Sequence, residues 1–561
     1  MQLLTLDLND PITLQTLWNR LIFITDQADI ALGRTAFSPI VRENHDYVTV
    51  LLDAEGKSLA QCSLSIPAFI GSLPLAARHF LAAYPPERLE PGDVLFTNDA
   101  MIGTGHLPDV VMITPIFRHG RVVAYAGNIV HLPDVGGRPL SPEAADLFEE
   151  GIRLPILKLY KAGQPNQDVL DIIAWSVRIP QEVLGDIQSE VAANEVMGRE
   201  LLAFMDEYGL DDLTPLTRAI HDRSERAMRR AIREWPNGSY SAELRLDGFD
   251  AEITLRTTVT VADESVHVDY AGSSPQVPFG INVMPHYRFA HSAYALKCLL
   301  DPETPNNEGA IAPITDSAPL GSILNPKPPA AGNARNLVGH TIPSLIFKAL
   351  EGVVPERIMA DSGSAPLWWL NCVGQDRQGR TVTSIQFMHG GQGGRAGLDG
   401  NDTISFPSNC RVTPVEMYER AVPMLMERKE LIPDSGGAGQ FRGGLSQRIV
   451  FRNVSDQPVR MYLGTERVSH APFGVLGGGS GREGAVLKNG EPAFPKGRLA
   501  LLPGERLTLE TPGGGGWGRA EDRAPDLVAA DLRQGLVTPE VAHTTYGVVS
   551  SDAPEQPPRQ E

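Results

Sequence analysis

Apolar residues recur at helical spacing near the start of the chain, where Leu14, Leu17, Trp18, Leu21, Ile24 and Ala28 follow an Asp10-Pro11 pair. That pair is an N-cap and first-turn signal, and the pattern predicts a long first helix. Short apolar runs punctuated by Gly and Asp come next, at residues 47–52, 93–97, 110–117 and 121–130. They predict buried strands, the last two joined by a tight turn at His119-Gly120. Helical spacing returns over 167–208, interrupted at Pro180, and over 213–234, which predicts a helical layer. Over 239–270 the period drops to two, with Leu244, Leu246, Ile253, Leu255, Val259, Val261, Val266 and Val268 alternating with polar residues. Antiparallel strands with one wet face are expected there.

A mixed segment spans 288–350, and beyond Pro433 short apolar runs at 448–451, 459–463, 485–487 and 506–510 sit between Gly-rich turns, predicting a compact β region. Residues 526–533 closed by Gly535, then Thr538-Pro539-Glu540, predict two short helices after the Gly-rich run at 513–518. The last dozen residues are rich in Pro, Glu and Gln and are expected to lack order. The expected class is α+β, a multi-layer mixed architecture of antiparallel sheets, a helical layer and a Gly-rich C-terminal β region. The expected division is an α+β region with the candidate metal site at 1–165, the helical layer at 166–235, a mixed core at 236–430, the Gly-rich β region at 431–520, and an appendix with a disordered tail at 521–561.

Composition narrows the classes of function. The 561 residues are 42% hydrophobic and 21% charged, with no apolar run near the roughly 20 residues of a membrane span. The first residues carry no basic, small-residue-terminated export signal, so a soluble protein is expected. Cys62, Cys298, Cys372 and Cys410 are scattered without C-x-x-C spacing, which argues against a zinc ribbon or a disulfide framework and fits a reducing cytoplasm. A formal charge of -19 repels polyanions, so neither nucleic acid nor membrane is expected as a partner.

The pentapeptide His-Leu-Pro-Asp-Val occurs twice, at His106 to Val110 and at His131 to Val135. The first copy precedes one strand of the predicted hairpin and the second follows the other, so both copies return to the same end of the sheet. Two imidazoles and up to two carboxylates then converge, and Asp46 stands ready to complete the set. Such a mixed N/O site suits zinc, manganese or iron rather than magnesium or calcium. The competing reading is a pair of turns in which each Asp orients its neighbouring ring and satisfies backbone groups.

Glycine motifs divide by context. Residues 479–484 fit G-x-G-x-x-G, but a strand follows and no β-α-β unit surrounds them, so they read as a turn. No P-loop motif exists, which excludes that type of ATPase. In 389–394, His-Gly-Gly-Gln-Gly-Gly, the glycines either let amides approach an anion or oxyanion or permit a close crossing of strands. His389 and His340 lie beside Gly clusters, where each either lines a pocket or packs structurally. No G-x-S-x-G elbow and no cysteine nucleophile motif is present, which leaves metal-assisted chemistry in front.

With these motifs in view, the chain resembles the B subunits of the hydantoinase B and oxoprolinase family, to which acetone carboxylase alpha subunits are related. The ordered markers are Arg42-Glu43-Asn44-His45-Asp46, Gly92-Asp93, Thr97-Asn98-Asp99, Gly105 to Asp109, His131 to Gly137, Gly151 to Pro155, Gly185-Asp186, Gly332-Asn333, Asn409, Thr413 to Glu416, Pro433 to Gly439 and Arg442-Gly443-Gly444.

The resemblance implies a metal-dependent hydrolase half acting on C–N bonds of cyclic amides such as hydantoin, oxoproline or a lactam. It also implies an ATP-binding A subunit that phosphorylates the substrate carbonyl oxygen, an α2β2-type hetero-oligomer, and attack by water activated at a divalent transition metal on this chain. It implies Asp46, His106, Asp109 and His131 as metal ligands, with Asp134 as a fifth ligand or the partner of an imidazole. Asp134 and His389 are the candidate catalytic residues, and Phe69, Gln386, Gly390 and Gly391 the candidate substrate-binding ones. Leu132, Phe69 and Gln386 replace two histidines and a glutamate common among relatives, which makes the pocket more apolar and favours a less polar lactam or cyclic imide. The alternatives are a carboxylase half that stabilises an enolate at the metal and a noncatalytic scaffold for the ATPase.

Overall fold

The computed structural model describes residues 7–375 and 379–548, so the tail expected to lack order lies outside the described residues. The first helix is Pro11–Thr35, with the Asp10 carboxylate accepting the Thr13 amide at 2.9 Å and Pro11 in the first turn. Its periodic residues, from Leu14 to Leu32, are buried beside helix Pro180–Tyr208.

These helices flank a seven-stranded antiparallel sheet ordered Ser58–Gln61, Tyr47–Asp53, Arg121–His131, Asp109–Arg118, Val94–Thr97, Leu157–Lys161, Gln164–Pro165. Its long central hairpin turns at His119 (φ 50°) and Gly120 (φ 76°). Left-handed backbone at both positions matches the twist of the flanking strands, which is why His-Gly works here. Arg118 faces Arg121 beside the turn, and at the open end Asp109, first of the ten residues of its strand, faces His131. The helical layer is Gln167–Ser176, Pro180–Tyr208 and Thr214–Arg233, with the break where Pro180 forbids continuation.

The alternating segment forms Gly238–Leu246, Ile253–Ala262 and Ser265–Asp269, antiparallel to one another, with Ile314–Ser317 added in parallel. Helix Ile342–Ala349 packs on that sheet and beside helix Pro285–Leu300. The C-terminal strands pair backwards along the chain: Val459–Gly464 lies against Trp368–Gln375, and Gln447–Asn453 against Met424–Leu431. Successive residues of a strand face opposite sides, so Trp368 and Trp369 enter two different cores. The architecture is a mixed α+β fold with several antiparallel sheets.

The Gly-rich segments interlock through their backbones. Gly394 donates to Gly515 O, Gly437 to Gly514 O and Gly444 to Gln392 O, each at 2.8 Å. A Cβ on Gly391 or Gly443 would collide with the carbonyls of Gly444 and Gly514, so this packing needs glycine for close approach. The match at 479–484 leads into strand Ala485–Lys488 rather than a helix, but it is irregular backbone rather than the expected turn, tied into the bundle where Gly479 donates to Ala438 O and Gly481 to Pro472 O. The C-terminal helices Pro525–Gln534, capped by Gly535 at φ 70°, and Pro539–Thr544 follow. No helix among the described residues is long and apolar enough to cross a membrane, and all four cysteines are unpaired thiols.

Candidate metal centre

The open end of the central hairpin holds a buried cluster of His106, Asp109 and His131, whose potential ligand atoms lie within 4.8 Å of one another. Asp109 opens its strand and His131 closes the next, and the antiparallel register sets them side by side. His106 Nε2 lies 2.7 Å and His131 Nδ1 3.0 Å from Asp109 Oδ1. Asp46 approaches from the turn before strand Tyr47–Asp53, its Oδ2 3.9 Å from His131 Nδ1 and its carbonyl accepting the His131 amide at 3.0 Å. His45 at φ 56° gives that turn its direction.

The protonation pattern of His106 marks a demand for positive charge. Its Nδ1 lies 3.0 Å from the Asn333 carbonyl, which can only accept, so Nδ1 carries the proton. Burial, with the nearby Arg335 charge, pushes the imidazole down to about 4, so the ring is neutral at pH 7. Nε2 then presents a lone pair to Asp109 Oδ1, and it is a buried atom without a hydrogen bond. Two electron-rich atoms at that separation repel unless a cation lies between them, so the donor set fits a metal ion. Burial works against the charge on Asp109, but the Arg335 guanidinium beside it helps hold its carboxyl well below the usual range. Burial raises Asp46 to about 6 against the opposing pull of His131.

Support for the cluster comes from a distant segment. Arg335 Nη2 lies 2.7 Å from Asp109 Oδ2, and the guanidinium lies 4.1 Å above the Tyr287 ring. Glu150 Oε1 accepts the amides of Gly332 and Asn333 at 2.6 and 2.7 Å, which fixes the carbonyl that orients His106. The cluster opens on a narrow cavity of about 60 Å³ whose apolar wall includes Ile66, Phe69, Leu367, Trp369 and Phe387. Tyr287, Arg335 and His340 line it too. Sequence reasoning missed Tyr287, Arg335 and Glu150. The available signal was Gly332-Asn333, a family marker that precedes a basic residue in an otherwise apolar stretch.

The remaining candidates lie elsewhere. The Asp134 oxygens take the Arg178 guanidinium at 2.6 Å and the Gly136 amide at 3.1 Å, outside the three-residue cluster. His389 is buried where burial and Lys429 lower its imidazole to about 4, and its carbonyl accepts from Gln447 and Thr511. Gly390 and Gly391 sit in the interlocked backbone bundle, the close-crossing alternative for this motif. Gln386 is buried next to cavity-lining Phe387, on the opposite face of strand Thr381–Met388. Of the substrate-binding candidates, Phe69 is among the cavity-lining residues.

The family model described as Hydantoinase B/oxoprolinase matches residues 10–520. The chain belongs to this family. It is 29% identical over 578 residues to the B subunit of a putative D-/L-hydantoinase from a Pseudomonas species, covering 97% of this chain and 96% of that one. The crystal structure of an ATP-dependent caprolactamase from Pseudomonas jessenii superposes with a TM-score of 0.88 at 28% identity, covering 96% of both chains. A nucleotide-free acetone carboxylase shares the fold, with a TM-score of 0.87 at 19% identity over 98% of this chain and 81% of that one. Within the hydantoinase B/oxoprolinase family, then, this chain carries its imidazole and carboxylate cluster on a hairpin braced by residues about two hundred positions downstream.

Proposed function

We propose that this chain is the metal-dependent B subunit of an ATP-dependent cyclic amide hydrolase and receives a carbonyl activated by phosphorylation on a partner A subunit. The observation that carries the reading is the His106 lone pair turned toward Asp109 in a buried cluster with His131. Asp46 supplies the fourth ligand. A divalent transition metal bound there supplies Lewis acidity and a water-derived nucleophile at neutral pH. Asn333 and Glu150 fix the His106 ring, Arg335 fixes Asp109, and Asp134 with Arg178 anchors the turn that follows His131. The aromatic wall of Phe69, Trp369 and Phe387 keeps bulk water from the reacting carbon and favours a ring of low polarity.

The names of relatives support the partner and the energy source: one belongs to a multi-subunit hydantoinase and another is an ATP-dependent caprolactamase. The test is reconstitution with the A-type partner and a panel of lactams, hydantoins and cyclic imides. ATP-dependent ring opening that a chelator abolishes and a transition metal restores is the expected result. Bicarbonate-dependent acid formation without ring opening would assign the chain to the carboxylase class, and turnover indifferent to metal would reject the site.

A further inference from the structure

Among the described residues, Arg335, His340 and Tyr287, which line the cavity, each carry a donor without a hydrogen-bond acceptor. The Arg335 guanidinium spends Nε on the Thr104 carbonyl and Nη2 on Asp109 and Thr104 Oγ1, which leaves Nη1 without an acceptor. His340 Nδ1 accepts the Leu367 amide at 3.3 Å, which puts the proton of the neutral ring on Nε2, and that N–H has no acceptor either. The Tyr287 hydroxyl is the third. None of these atoms is sealed in the way that His106 Nε2 and His291 Nε2 are, and all three residues line the cavity that also holds the metal cluster.

The three are grouped about one ring. Arg335 lies 4.1 Å over the face of Tyr287, and the His340 ring stacks on Tyr287 with centroids 6.2 Å apart and planes 19° from parallel. Burial, with His291 and Arg335 nearby, holds the His340 imidazole well below its ordinary range, and burial raises the Tyr287 phenol, so both keep their protons as donors at neutral pH. One fixed positive charge and two neutral donors in a buried setting form a site for a compact oxyanion.

We infer that Tyr287, Arg335 and His340 are the anion-receiving side of the cavity, taking the phosphoryl group of the activated amide while the metal cluster faces its carbon. The inference rests on the proposed arrival of an O-phosphorylated substrate. It gives the forked geometry of Arg335 a second use: Nη2 holds a ligand carboxylate and Nη1 holds the substrate oxygen. It also gives His340, which nothing else in the reaction employs, the part of a donor to a phosphoryl oxygen.

The test is calorimetric titration of inorganic phosphate into the full metal-loaded chain, comparing wild type with Tyr287→Phe, His340→Phe and His340→Gln. Each Phe variant should weaken phosphate binding about 10-fold, the size expected for a hydrogen bond to a charged group, with metal content unchanged. His340→Gln, which retains an N–H donor, should recover part of the loss. Phosphate held by the metal alone would bind His340→Phe and Tyr287→Phe as tightly as wild type, and that result, or no binding to wild type at millimolar phosphate, overturns the inference. A complex that opens cyclic amides while both Phe variants bind phosphate normally would fail this inference and leave the proposed function standing. Weakened phosphate binding in the Phe variants of a protein that never opens a cyclic amide would do the reverse.

Discussion

The two copies of His-Leu-Pro-Asp-Val have identical sequences and different fates. In the first copy His106 and Asp109 both join the cluster; in the second His131 joins and Asp134 turns away to Arg178. The cause is strand phase. The first copy runs into its strand, so Asp109 is the first paired residue, directly opposite His131. The second copy leaves its strand, so His131 is the last paired residue and Asp134 falls beyond the ladder, in a turn with Gly136 at φ 76° and Gly137 at φ 51°. A motif acquires its chemistry from its position on the hairpin as well as from its residues.

That contrast can be broken at several strengths. His106→Ala or His131→Ala should remove a proposed ligand and take at least about 10³-fold from turnover of the reconstituted complex, because the water-derived nucleophile is lost. Rates within about tenfold of wild type in both, a barrier change of only about 1.4 kcal/mol, would end the metal reading. Asp46→Asn, which keeps an oxygen at the proposed fourth ligand position but removes its charge, should act less severely, weakening metal affinity by about 10- to 100-fold in a chelator competition. Arg178→Met acts on the second copy alone. It frees Asp134 and loosens the turn after His131, and metal affinity should fall by about 10-fold.

The first copy leans on Glu150 instead, and its expected effect is smaller and depends on pH. Burial raises this carboxyl from its ordinary 4.5 to about 8. The folded chain therefore keeps a proton that the unfolded chain releases, and stability from this group declines as pH rises from about 4.5 toward 8. Glu150→Gln cannot release a proton. Its melting temperature relative to wild type should therefore climb between about pH 5 and pH 8, as calorimetry across that range will read. A constant difference would mean that Glu150 is ionised in the fold.

The sequence made the hairpin and its two His-Leu-Pro-Asp turns legible, because strand alternation and the His119-Gly120 turn depend on neighbouring residues. The helix caps at Asp10, Thr538 and Gly535 were legible for the same reason. Partnerships that exist only after folding were not. Asn333 and Arg335 lie far along the chain from His106 and Asp109, which they hold, at separations of 227 and 226 residues. No periodicity or spacing links them. The glycines after His389 stood between two readings because an amide cradle and a backbone crossing demand the same residue. The carbonyls of Gly444 and Pro512, packed against the positions where Cβ atoms would sit, distinguish them.

Under the proposed function Asp109 holds the metal and Asp134, in an identical pentapeptide, does not. Elemental analysis of purified Asp109→Asn and Asp134→Asn, beside wild type after the same metal loading and desalting, tests it most directly. One equivalent per chain is expected in wild type and in Asp134→Asn, with little or none in Asp109→Asn. A full equivalent retained by Asp109→Asn, or metal lost from Asp134→Asn as completely as from a ligand variant, would contradict the account.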